Sequence, residues 1–249
     1  MLLAAVVVLV AAFMLAPAAL LRPDFGAYDS ETYLQDDLGH AFVEFWRSGT
    51  PALNGHFTTL VDYWFQWHAI KVAISAALVV VLALLSTALW RTYLYARTWY
   101  AAAATATTVL TVLAVGVLIV NVQATAVPLV ALLPLLPEGT GDGELARVLG
   151  EVREGLPAGP SPLTVLLGEV ARYNWIMAAI CAPLMMATGL ASARFWRRRI
   201  TGDPSARFMH STLGVISALT AGLLLLMTVA STFSALQPDT ALLGVIGAG

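Results

Sequence analysis

A chain of 249 residues that is 59% hydrophobic and 11% charged, with a mean hydropathy of +0.80, has too little polar surface to coat a soluble globule of its size. Its lone cysteine, Cys181, excludes an internal disulfide, so parts outside a membrane must be held by packing. A lipid-facing exterior resolves the first point, and the expectation is an all-α membrane protein, a single polytopic domain over residues 1–249 with a five-helix transmembrane bundle and a helical extracytoplasmic cap.

The first apolar run covers about residues 1–21. It ends in Ala16-Pro17-Ala18-Ala19, which resembles a secretory cleavage site, but the basic stretch that precedes such a signal is missing, so a retained anchor is expected. Residues 22–68 then form the first cap segment. Asp29 and Ser30 can cap a helix that runs to about Arg47 and stops at Ser48-Gly49, with Pro51 beyond. Leu34, Leu38, Phe42 and Phe45 share one stripe of it, and Asp37, His40 and Glu44 share another. A second helix should begin near Thr58 or Thr59 and pass Asp62, Trp64, Trp67 and His68 without a breaker into the second run, about residues 69–90.

The third run covers about residues 100–128. Thr105, Thr107, Thr108 and Thr111 crowd one half, and Asn121 and Gln123 stand in the other, where an unpaired amide is costly. Interhelical hydrogen bonding is the plainer reading of these two amides; a polar substrate path is the sharper one. Pro128 and Pro134 should end or kink the helix, making Leu129 to Pro137 re-entrant or interfacial. The second cap segment, residues 138–174, opens on a flexible turn from Gly139 to Gly143. A short amphipathic helix follows from Glu144 to Leu156, then a breaker from Pro157 to Pro162, and a helix resumes at Leu163.

The fourth and fifth runs cover about residues 175–195 and 213–236, and none of the five contains an Asp or Glu. Met177, Cys181 and Met185 recur at a spacing of four on the fourth, beside Pro183. Soft sulfur ligands suit Cu(I), but these residues are also ordinary fillers of apolar packing, the reading preferred here.

Charge orients the chain. The segments after the second and fourth runs carry Arg91, Arg97, Arg194, Arg197, Arg198, Arg199 and Arg207 against one acid, Asp203. The remaining segments carry six basic residues and fourteen acids, so the two sides differ as +6 to −8 and together give the chain's −2. The basic side should be cytoplasmic, which places the N-terminus in the cytoplasm, the cap and C-terminus outside, and the protein in the plasma membrane. Trp67 and Trp175 mark outer helix ends and Trp90, Trp99 and Trp196 inner ones, in agreement. Trp196-Arg197-Arg198-Arg199 reads as a stop-transfer anchor, with no ligand assigned.

There is no CxxC, glycine-rich phosphate loop, HExxH, GxSxG or nucleic-acid signature, so neither nucleotide nor nucleic acid is an expected partner. Three of the four histidines, His40, His56 and His68, share the first cap segment with Asp36, Asp37, Glu44 and Asp62. Imidazole and carboxylate are the usual ligands for copper, zinc or iron and the usual acid–base groups. If a chemical site exists, His40 and His68 should converge with Asp37 or Asp62. Asp36-x-x-x-His40 followed by His56 resembles the Asp/His/His copper site in the C subunit of membrane-bound methane and ammonia monooxygenases. The second interval is longer here and the likeness covers a short stretch, so it implies no family.

Three functions are compatible with the chain. The preferred one is a non-catalytic membrane subunit or binding protein, whose partners are the bilayer and either another membrane protein or a second copy. The others are a metal-dependent enzyme or metal-handling protein using the outer His and carboxylate residues, and a small transporter or channel lined by Asn121 and Gln123.

Overall fold

The computed structural model describes residues 1–95, 99–137, 143–156, 159, 161–200 and 203–246. Arg97, most of the Gly139-to-Gly143 turn, and Pro157, Ala158 and Pro160 of the breaker lie outside the described residues. The described residues form helices and no strands: α1 (Leu2–Phe25), α2 (Glu31–Ser48), α3 (Gly55–Tyr95), α4 (Tyr100–Ala126), α5 (Pro128–Leu132), α6 (Glu144–Gly155), α7 (Ser161–Arg199), α8 (Pro204–Leu236) and α9 (Pro238–Ile246). Two 3-10 turns, Gly26–Asp29 and Leu133–Leu135, complete it.

Five helices, α1, α3, α4, α7 and α8, are long and apolar enough to cross a membrane, and the protein is an all-α membrane bundle. At about 1.5 Å per residue a 41-residue α3 is roughly 60 Å long, about twice the hydrocarbon thickness. Only 6% of the most apolar stretch of α1, and of α8, is buried, so the apolar side chains of these two helices face outward, as lipid solvation allows and water does not.

The chain divides into two compact units. Unit 1 comprises Met1–Ala16, Lys71–Asn121 and Met177–Ala230. Its helices are joined by small polar contacts of the kind that replace hydrophobic driving force in lipid. Thr108 Oγ1 accepts from the Trp90 indole at 3.0 Å and lies 2.8 Å from Ser86 Oγ, joining α3 to α4. Ser192 Oγ donates to Gly214 O at 2.9 Å, joining α7 to α8. Lys71 Nζ stands 5.0 Å from the Phe13 ring, a cation–π contact between α3 and α1. The sulfur stripe belongs to an apolar cluster: Met177 and Cys181 are buried with Ile119 and Leu224, and Met185 and Met227 pack against them.

Unit 2 comprises Pro17–Ile70, Val122–Ile176 and Ser231–Gly249 and has its own core. Ser30 is the N-cap of α2, accepting from Tyr33 N at 3.4 Å, and Gly49 ends the helix in the left-handed region at φ 63°, which costs a residue without Cβ little. The apolar stripe Leu34, Leu38, Phe42 and Phe45 is buried as its spacing requires, the last two with their rings 6.5 and 5.6 Å from Phe57 of α3.

Three features differ from the sequence expectation, and the stretch after the break expected at Pro128 takes a definite form. Helix α3 starts at Gly55, ahead of Thr58, because Asn54 Oδ1 accepts from Phe57 N at 2.7 Å and caps it. Helix α1 passes through Pro17 and Pro23 to Phe25, burying Pro17 and Leu21. The stretch after Pro128 is a short helix and a 3-10 turn in which Leu129, Val130, Leu132 and Leu133 are buried in the unit 2 core. Helix α9, absent from the expectation, packs on that turn and buries Leu242 and Ile246.

Candidate functional site

Unit 2 gathers its chemistry-bearing groups at the start of α2 and α3. Asp37, the first member of the polar stripe of α2, stands nearly two turns into the helix, and its side chain is only 16% exposed. A carboxylate so placed needs partners, and Asp37 Oδ2 has two. The Tyr28 hydroxyl, from the 3-10 turn Gly26–Asp29, donates to it at 3.0 Å, and His56 Nε2, from the first turn of α3, lies 2.8 Å away. Three segments separate in sequence are thereby tied through one oxygen atom.

The surroundings of Tyr28 are apolar on the other side, with the Tyr63 ring at 5.0 Å and the Phe25 ring at 6.3 Å. Burial, reinforced by the hydroxyl's bond to Asp37 and that group's negative charge, pushes the Tyr28 phenol up to about 12. It therefore remains a donor over the whole physiological range. Asp37 in turn fixes the orientation of the His56 ring, and a carboxylate behind an imidazole is the arrangement that orients general bases. No hydroxyl or thiol among the described residues is hydrogen-bonded to the far side of that ring, which is what nucleophilic catalysis would add.

The residues singled out from sequence are distributed as follows. His40 is exposed and lines an open cleft of about 240 Å³ with Asp36, Val43, Pro137, Glu144 and Leu145. Glu144 is already paired with Arg47 across α2 and α6. His68 is half-buried on α3, where Nδ1 donates to Trp64 O at 3.0 Å and the ring packs 4.8 Å from the Trp64 ring. Asp62 is exposed. His56, which precedes the helix start expected near Thr58, is the histidine that reaches Asp37; His40 is not. Among the described residues no group of three or more His, Cys, Asp and Glu side chains, these four positions included, is gathered closely enough to hold a metal ion.

The two amides of α4 are both buried. Asn121 Nδ2 donates to Val117 O at 2.8 Å in its own helix, and Gln123 Nε2 donates to Tyr173 O of α7 at 3.0 Å. Cys181 Sγ donates to Met177 Sδ at 3.6 Å.

Sequence reasoning missed Tyr28 as a member of the cluster, although its place immediately before the expected caps Asp29 and Ser30 was the available signal. It also missed the tie between α2 and α6, where Trp46 Nε1 donates to Glu151 Oε2 at 2.9 Å beside the Arg47–Glu144 pair. Comparison with protein-family models, curated proteins and solved structures finds no match to this chain.

Proposed function

We propose that this is a non-catalytic integral protein of the cell membrane, with unit 2 forming an extracytoplasmic helical cap that binds a partner membrane protein or a second copy of the chain. The observation that carries this reading is the use to which unit 2 puts its polar groups. Asp37, His56 and Tyr28 hold α2, α3 and the preceding turn to one another, and Arg47, Glu144, Trp46 and Glu151 hold α2 to α6. Groups spent on internal ties make a rigid scaffold, and a rigid scaffold reduces the entropy lost when a partner docks. The acidic excess of the same segments supports their placement outside the membrane under the positive-inside bias.

The test has two arms. A photo-crosslinking residue at Tyr33, 49% exposed on α2, should give a discrete adduct of one mass in intact cells, whereas one at Leu223, 60% exposed on α8, should label lipid. Metal analysis of the purified protein decides against the competing metal-handling reading: a stoichiometric copper, zinc or iron ion that is lost in His40→Ala would overturn the non-catalytic assignment.

A further inference from the structure

The arginine-rich end of unit 1 holds a cleft that the positive-inside bias alone does not account for. Trp196, Arg199 and Ile200 at the end of α7 and Arg207 at the start of α8 line an open cavity of about 520 Å³. Its floor is built. The Trp196 indole lies against Gly214 of α8 so closely that a Cβ there would stand 3.3 Å from Nε1, and the Arg199 guanidinium is held 5.1 Å from the same ring. Arg199 and Arg207 form no ion pair among the described residues. The one acid of the flanking segment is already used, since Asp203 Oδ1 accepts from Ala206 N at 2.8 Å and caps α8. Two guanidinium groups from two helices therefore face one cleft, with Ile200, 83% exposed, and the indole supplying apolar contact beside them.

We propose that this cleft binds a phosphate group, that of an anionic glycerophospholipid, with Arg199 and Arg207 as its two donors and Trp196 as the platform that orients Arg199. Arginine pairs phosphate oxygens in a fixed fork, so two such groups select phosphate over a bare negative surface. The apolar rim suits the glycerol and upper acyl carbons of a lipid, and a soluble phosphate offers nothing to fill it.

The full-length protein in neutral detergent is titrated with phosphatidylglycerol or phosphatidylcholine of the same chains and read by native mass spectrometry. Phosphatidylglycerol should be retained about tenfold more tightly, about the worth of one charge-assisted hydrogen bond. Arg199→Gln with Arg207→Gln should abolish that preference, while Arg194→Gln with Arg197→Gln, an equal loss of charge on the same segment, should keep it. Equal retention of both lipids by the unaltered protein, or equal loss in the two double variants, would overturn the proposal, because diffuse charge would then suffice. Trp196→Ala removes no charge and should still weaken the preference; an unchanged preference there would overturn the role of the stacked pair. Displacement of the lipid by millimolar glycerol 3-phosphate would assign the phosphate site to a soluble ligand, and failure of displacement assigns it to the lipid.

Discussion

Asp37 accepts two hydrogen bonds through a single oxygen, so its removal orphans two donors at once. Replacing Asp37 with Ala should cost about 1–3 kcal/mol, the range for stranding part-buried polar groups, and Asp37→Asn, which keeps an acceptor, should cost less. Thermal unfolding of the two variants checks this; equal loss in both would mean that the acceptor is not what matters. Tyr28 gives a second test at the same place. Its phenol ionises at about 12 in the fold against 10.0 in an unfolded chain, because burial and the Asp37 bond favour the neutral form. A group raised in this way contributes stability in full below pH 10 and loses it as the pH rises through 12. A spectrophotometric titration of the protein minus that of Tyr28→Phe should show one phenol ionising near 12; a difference curve centred at 10 would show that the hydroxyl is solvated. How far this cluster was legible in the sequence depends on the residue. The polar stripe of α2 was, since helical spacing alone puts Asp37 and His40 on one side. Which histidine would meet Asp37 was not, because His56 arrives by the tertiary placement of α3, and no local pattern encodes that.

At the scale of elements, helix ends follow the capping chemistry that sequence displays, and the departures have local causes. Ser30 and Gly49 bound α2 as read, whereas Asn54 starts α3 a turn early by offering a better acceptor than Thr58. Helix α9 carried its signals, Pro238 at the first position and Asp239 in the first turn, but it has only 9 residues and was overshadowed by the apolar run before it. Beside the Asp37–His56 tie, a ring cluster packs α2 against α3, and Phe57 is its shared member, with no exposed surface and contacts to both Phe42 and Phe45. Phe57→Ala should cost about 3–5 kcal/mol, a buried aromatic replaced by a cavity. Amide exchange should accelerate throughout residues 31–48 in that variant. Exchange unchanged there would mean that α2 is held by its polar ties and that the rings contribute little.

At the scale of the whole molecule, five apolar helices were readable because lipid imposes a length and a composition that no soluble core demands, and the polar pairs between helices were not, because a threonine in a membrane helix has the same local signature whether it bonds its own backbone or a neighbour. The charge distribution carries the remaining prediction, the direction of insertion. Seven arginines and one acid follow the second and fourth apolar runs, while fourteen acids lie in the other segments. Lysine and arginine resist translocation far more than aspartate and glutamate do, so the arginine-rich segments should stay in the cytoplasm. Alternation along five crossings then puts Gly49 and Gly141 outside, and Arg97 and Gly202 inside. Single cysteines placed at these four positions, in a chain with Cys181→Ala, should react with a membrane-impermeant maleimide at the first two in intact cells and at the last two only after permeabilisation. Labelling of the Gly202 position from outside would invert the topology, move the Tyr28–Asp37–His56 cluster to the cytoplasmic side, and turn the Trp196 cleft toward the outer leaflet.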